Sequence, residues 1–187
     1  MKRIVVVVII FAQVVLFTSS VERNQIEVAR ASVAAPCGNG ADGAGGTLSG
    51  PVNTYWSQAS VLGTLAAASN TVTLGTIDAT GGGAATGVKA GDELLIIQMQ
   101  DGTFTDTNAS TYGDGATGSG YTALSSAGLY EYVRVDASVV GTKTTGSVAI
   151  DGAGAGFGLL NTYHEAAATG SSGIETYQII RVPQYTT

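Results

Sequence analysis

The chain holds one cysteine, one histidine and one tryptophan in 187 residues. A zinc site made of thiolates and imidazoles takes about four ligands. Here those residue types supply only Cys37 and His164. A disulfide framework closed within the chain is excluded too, because Cys37 has no second cysteine to pair with. Charge is equally sparse: Asp, Glu, Lys and Arg make up 12% of the residues, against roughly 25% in soluble domains. Basic residues number 8 and acidic ones 14, for a net charge of -6. Gripping a phosphate backbone needs a basic face, so nucleic acid is not an expected partner. Leu, Glu and Lys are too scarce for a long helical bundle. What the chain has in plenty is glycine, 27 residues of it, with much Ala, Thr and Ser. The length suits one domain plus a targeting segment.

The only long apolar run covers residues 4–17, after the cationic start Met1-Lys2-Arg3. A spanning helix takes about 20 apolar residues, and Gln13 interrupts this run. It reads as the core of a secretory signal peptide over residues 1–20, with Thr18-Ser19-Ser20 as the small residues before cleavage. An uncleaved N-terminal anchor is the other reading. A second A-x-A pattern, Ala29-Arg30-Ala31, lies well beyond the run. Loss of Lys2 and Arg3 leaves the mature chain more acidic still, which speaks against anionic membrane surfaces. Secretion or display at the cell surface is therefore expected, with no membrane contact after cleavage.

Residues 21–51 read as a Gly-rich disordered leader, because the run of glycines from Gly38 to Gly46 suits neither helix nor packed strand. The ordered module is expected over 52–187. Thr71, Val72, Thr73 and Leu74 alternate with period two, as a half-buried strand does, and the strand is read through Ile77. Residues 62–68 read as the preceding strand of a hairpin or the start of a short helix. Residues 93–100, Glu-Leu-Leu-Ile-Ile-Gln-Met-Gln, read as a strand buried on both faces, behind a turn at Lys89 to Asp92. Residues 101–128 read as a long polar loop. Strands follow at 129–135, 147–150 and 177–182, the last stopped by Pro183. In the strand at 129–135, Tyr130, Tyr132 and Arg134 share one face, and Glu131, Val133 and Val135 the other. The pattern Gly128-Leu129…Tyr132…Arg134-Val135 returns as Gly173-Ile174…Tyr177…Arg181-Val182. Both arginines are expected as surface cross-strand partners of tyrosine. The fold class is all-β: a small antiparallel barrel or sandwich of about six strands with long Gly-rich loops.

Candidate chemistry is thin. Asp106, Asn108 and Ser110 place oxygens at alternate positions, as a calcium loop does, with Asp101 and Asp114 nearby. Thr111 and Thr117 stand where an EF-hand has Gly and Glu, so this is not one. Calcium is the one cofactor considered, and no other is expected. Asn108-Ala109-Ser110 also fits a glycosylation sequon. A Ser-His-Asp triad has only His164 as its base, and no G-x-S-x-G elbow is present. No phosphate loop occurs, and no pair of carboxylates stands in a recognisable hydrolytic setting. Glu131 shares a face with Val133 and Val135, where burial would raise its pKa, but the commoner reading is an edge residue pointing to water. No local motif makes Cys37 a nucleophile. The chain is read as a non-catalytic module. Glycan binding is the rival reading, with Tyr112, Tyr121, Tyr130 and Tyr132 as the nearest aromatic candidates.

Three stretches carry a resemblance: residues 90–101 with Ile-Ile-Gln-Met-Gln, residues 128–132, and Leu159 to Tyr163 followed by residues 178–185 with Arg-Val-Pro-Gln-Tyr. Together they resemble the N-terminal region of very large exported bacterial surface or extracellular proteins, over about residues 52–187. The resemblance implies Gly-rich β structure, with immunoglobulin-like or similar repeats downstream as covalent partners. It implies an address and an architecture, not a reaction, and it carries no catalytic residues. The leading expectation is a structural, adhesin-like module, with surface glycans or matrix as candidate partners. Gln184-Tyr185-Thr186-Thr187 reads as a β segment about to continue into a longer protein. The alternative is a glycan- or calcium-binding accessory module of a secreted hydrolase.

Overall fold

A computed structural model describes residues 41–57, 63–78, 83–105 and 120–186. The alternating residues at 71–77 form two strands rather than one: β2, Thr71–Leu74, and β3, Thr76–Ile77, with β1 at Thr54–Ser57 before them. Only Gly75 separates β2 from β3, and a glycine in a strand marks such corners. The remaining strands are β4 (Glu93–Gln100), β5 (Thr103–Thr105), β6 (Gly120–Ala123), β7 (Tyr130–Val135), β8 (Gly146–Asp151) and β9 (Thr176–Val182).

Seven strands join in the order β2-β8-β7-β4-β9-β1-β3. Every pairing of this sheet is antiparallel. Since β2 and β3 are the two edges and Gly75 links them, the sheet curls back on itself. The result is a nearly closed barrel of six staves, one of them bent at Gly75. Of the two architectures expected, the barrel is the one formed. The hairpin between residues 62–68 and β2 does not form: β2 pairs with β8, and Leu65 instead bridges Tyr163.

Inward residues fill the barrel: Trp56, Val72, Leu74, Leu94, Ile96, Val133, Val135, Val148, Ile150, Tyr177 and Ile179 are all buried. Trp56 also donates its indole N–H to the Thr144 carbonyl at 2.8 Å. The reading of β4 as buried on both faces is corrected. Leu94, Ile96 and Gln98 point inward; Leu95 and Ile97 are half-buried, and Met99 is exposed. A barrel has one interior, and the outer face of β4 is only partly covered. The long-loop reading of 101–128 is corrected as well, since β5 and β6 pair within it as a second, two-stranded sheet.

The Gly-rich stretch at 152–158 is packed rather than loose. A Cβ on Gly158 would stand 2.3 Å from the Ala68 carbonyl group, so only glycine permits this approach. It leads into residues 159–164, which plug one end of the barrel through Leu159 and Tyr163. At the opposite end Asp42, within the segment read as leader, binds β9 and the residues after it. The expected signal peptide, Ala29-Arg30-Ala31, Cys37, and the loop with Asp106, Asn108, Ser110, Tyr112 and Asp114 lie outside the described residues.

Candidate functional site

Polar side chains that face into a barrel are the first place to look for chemistry, because burial without partners is costly. Gln98 faces inward near the plug. Its Oε1 accepts the His164 N–H at 2.7 Å, and its Nε2 donates to the His164, Gln100 and Thr176 carbonyls at 2.9, 2.9 and 3.1 Å. The carboxamide thus pairs with His164 backbone as a neighbouring strand would. What the structure shows of His164, the sole candidate base, is this backbone role.

Glu131 lies beside it. The sequence reading of an edge residue in water is corrected: Glu131 is 7% exposed. Its carboxylate accepts the N–H groups of Leu160 and Asn161 at 2.8 and 3.0 Å and the Tyr163 hydroxyl at 3.1 Å. These donors have no strand to pair with, so the carboxylate supplies the acceptors that the plug lacks. Burial first, and then the Glu131 charge, push the Tyr163 hydroxyl well above the usual tyrosine range. It therefore stays a donor at neutral pH. Tyr177 is raised likewise, by burial and then by Glu165, and donates to the Gly63 carbonyl at 3.2 Å.

The other end of the barrel is closed by an ion cluster. Arg181, expected on the surface, is 3% exposed. Its Nε and Nη2 meet the Asp92 carboxylate at 2.8 and 3.2 Å, and Nη2 also pairs with Asp42. Burial works against the Arg181 charge, but Asp92 and Asp42 outweigh it and raise the pKa. Burial also works against the Asp42 charge. The Gln184 N–H and then the Arg181 guanidinium outweigh that, so the Asp42 carboxyl sits below its ordinary value. Asp92 in addition accepts the Lys89 N–H at 2.9 Å, which fixes the turn into β4. Gln184 donates its side-chain amide to Glu93 at 2.7 Å.

Asp101, named as a possible calcium contributor, accepts the Ser126 N–H at 3.0 Å and the Ser126 hydroxyl. It holds the turn at 125–128. Among the described residues no three His, Cys, Asp or Glu stand together as a metal site.

With the inward polar groups committed to backbone and ion pairs, the outer surface carries the candidate site. Tyr130 and Tyr132, 61% and 52% exposed, stand side by side on β7. Their ring centroids are 6.3 Å apart, edge to face. The ladder sets Leu95 opposite Tyr132 and Ile97 opposite Tyr130, so an apolar floor adjoins the two rings. Arg134 and its cross-strand neighbour Glu93 form a charged border on the same face. Beyond the plugged end, the lining of a cleft of about 400 Å³ includes Gln100, Asp101, Phe104, Tyr121, Leu124 and Ile174.

Tyr121, Tyr130 and Tyr132 were legible as candidates, and the structure groups two of them. Phe104, Leu124 and Ile174 were missed. The one signal was Phe104 between Thr103 and Thr105, a three-residue alternation too short to stand out. No protein-family model, no curated protein and no solved structure matches the chain.

Proposed function

We propose that the chain is a non-catalytic module of an exported bacterial protein, displayed at the cell surface or outside the cell, and that it serves adhesion through the outer face of its barrel. The observation that carries this reading is the tyrosine pair. Tyr130 and Tyr132 lie in the open on a rigid sheet, whereas the inward carboxylates and amides hold the fold together. Tyrosine is suited to contact, since its ring is apolar and its hydroxyl stays wet. The secretory character of residues 1–20 supports export, and the resemblance to large surface proteins supports a longer covalent context.

The test is surface labelling of intact cells, followed by attachment assays with Tyr130→Ser/Tyr132→Ser. A protein that resists external protease and labelling sinks the surface reading. Attachment unchanged in the double variant sinks the role of this face. A second reading, a glycan-binding accessory module of a secreted hydrolase, draws on the same tyrosines. Oligosaccharide titration that shows saturable heat, lost in the double variant, selects it over contact with protein. Calcium at Asp106, Asn108 and Ser110 belongs to this second reading. Calorimetry with calcium chloride checks it, and no heat ends it.

A further inference from the structure

The segments that flank the barrel in sequence meet beyond its ion-paired end. Asp42 N–H donates to the Gln184 carbonyl at 3.0 Å, Thr186 N–H to Gly43 at 2.7 Å, and Gly45 N–H to Thr186 at 3.4 Å. Gln184 N–H in turn donates to the Asp42 carboxylate at 2.7 Å. Ala44 and Thr186 pair in parallel, and theirs is the one parallel pairing among the described residues. A Cβ on Gly45 would stand 3.4 Å from the Tyr185 Cβ, so the two segments lie close. Arg181, buried in the barrel, holds Asp42 from below.

We propose that residues 42–45 and 184–186 form a mechanical clamp, and that the module bears tension transmitted along the chain. This rests on the reading of the module as one link in a longer exported protein. The physical reason is direction. Two parallel segments run the same way, so the chain enters the pair at one end, before Asp42, and leaves it at the other, after Thr186. Tension on those two ends slides the segments past each other. The backbone bonds and the Asp42 contacts then carry the load together and must fail together. In an antiparallel terminal pair both ends would leave from the same side, and the bonds would open one at a time. Arg181 ties the clamp to β9 in the barrel wall, so slippage takes the cluster of Asp42, Arg181 and Asp92 with it. Forced unfolding is governed by the barrier to leaving the native state. Contacts that break at its first step therefore set the rate.

The test is single-molecule pulling of the full chain, with one handle on the natural thiol of Cys37 and the other at the C-terminus. The expected record is one rupture that releases the whole barrel. Asp42→Asn weakens a charge-assisted contact and is expected to speed unfolding at a given force about tenfold. Thr186→Pro, which removes one clamp donor at the chain's edge and spares the ion cluster, is expected to act in the same direction. As a control, a handle is moved from Cys37 to the exposed loop residue Val140 by Cys37→Ser/Val140→Cys. Pulling there puts no tension on the chain before Asp42, so the pair is no longer sheared between its two ends, and both variants then lose most of their effect. An early, low-force release of residues 42–45 before the barrel opens overturns the clamp. So does a rupture insensitive to both variants. Either result leaves the surface reading intact, because labelling of cells decides that separately. A protein retained inside the cell removes the surface reading without touching the pulling record.

Discussion

The segments that lead through β7 and β9 carry similar patterns, a Gly four residues before a Tyr and an Arg two or four residues after it, yet they turn them to opposite faces. Both pair with β4, one on each side. Arg134 lies opposite Glu93, while Arg181 lies opposite Leu94. That one-residue offset decides everything, because a shift by one moves a whole strand pattern to the other face. Tyr132 and Arg134 consequently look outward. Tyr177 and Arg181 look into the barrel, where the arginine finds Asp92 and Asp42. Similar residue spacing thus yields a contact surface on one stave and an ion-paired closure on another. Spacing reports that two residues share a face; the register with β4 reports which face.

The largest expected effect breaks this comparison at its arginines. Arg181→Met strands the buried Asp92 carboxylate and should cost about 3–5 kcal/mol. Arg134→Met, on the half-exposed face, should cost no more than about 1 kcal/mol. Urea unfolding of the two variants, followed by Trp56 fluorescence, measures both. Equal losses would mean that the register offset has no energetic consequence.

Next in size is Glu131, which shares the inward face of β7 with Val133 and Val135. Glu131→Ala removes the acceptor of two backbone N–H groups and of the Tyr163 hydroxyl. A loss of about 2–3 kcal/mol is expected, since buried donors left unmade are costly. Glu131→Gln keeps a carbonyl oxygen for one of the backbone donors and should lose less. Amide exchange at Leu160 and Asn161 is the sharper readout: it should rise in the Ala variant before global unfolding changes. If the plug amides stay as protected as in the wild type, the carboxylate is not what holds them.

How far all this was legible follows from the same contrast. Alternation identified a strand read over 71–77 and another over 129–135, a third was read at 177–182 before Pro183, and the absence of helical patterning identified the all-β class. Period two is a local property, however, and the inside of a barrel is not. In β4 the apolar Met99 lies outside and the polar Gln98 inside, because Gln98 meets the backbone of a plug 66 residues away. Glu131 is similar, with partners about 30 residues distant. The strand β1 was overlooked, although Trp56 within it is fully buried. The tyrosine pair of the candidate surface was visible, since residues 130 and 132 share a face in any strand. The cleft was not, because Phe104, Tyr121 and Ile174 come together only through the pairing of β5 with β6 and with the segment at 171–172.

A smaller effect comes from acid, and it acts at the Arg181 end of β9. The Asp42 carboxyl has a folded pKa below its ordinary 3.8. A depressed carboxyl stabilises the fold fully above the unfolded value, and this contribution is lost as pH falls through the folded one. Stability should therefore be level in this respect near neutrality and decline below about pH 4. Asp42→Asn removes this part of the decline. Urea midpoints across the acid range, compared between the two proteins, give the answer. An acid limb unchanged by Asp42→Asn would show that the Arg181 end does not respond through Asp42.

The smallest effect on stability is expected where the effect on function should be greatest. Tyr130→Ser/Tyr132→Ser gives up one edge-to-face ring contact and little burial, for a loss under about 1.5 kcal/mol. Tyr177, the β9 counterpart of Tyr132, is buried and bonded to Gly63. Tyr177→Ser should open a cavity and cost about 3–5 kcal/mol. If the outer pair proved as costly as Tyr177, the rings would be part of the packing, and their exposure would say nothing about a partner. If the double variant is as stable as expected and no longer attaches, the two tyrosines are held in the open by the register of β7 for contact rather than for the fold.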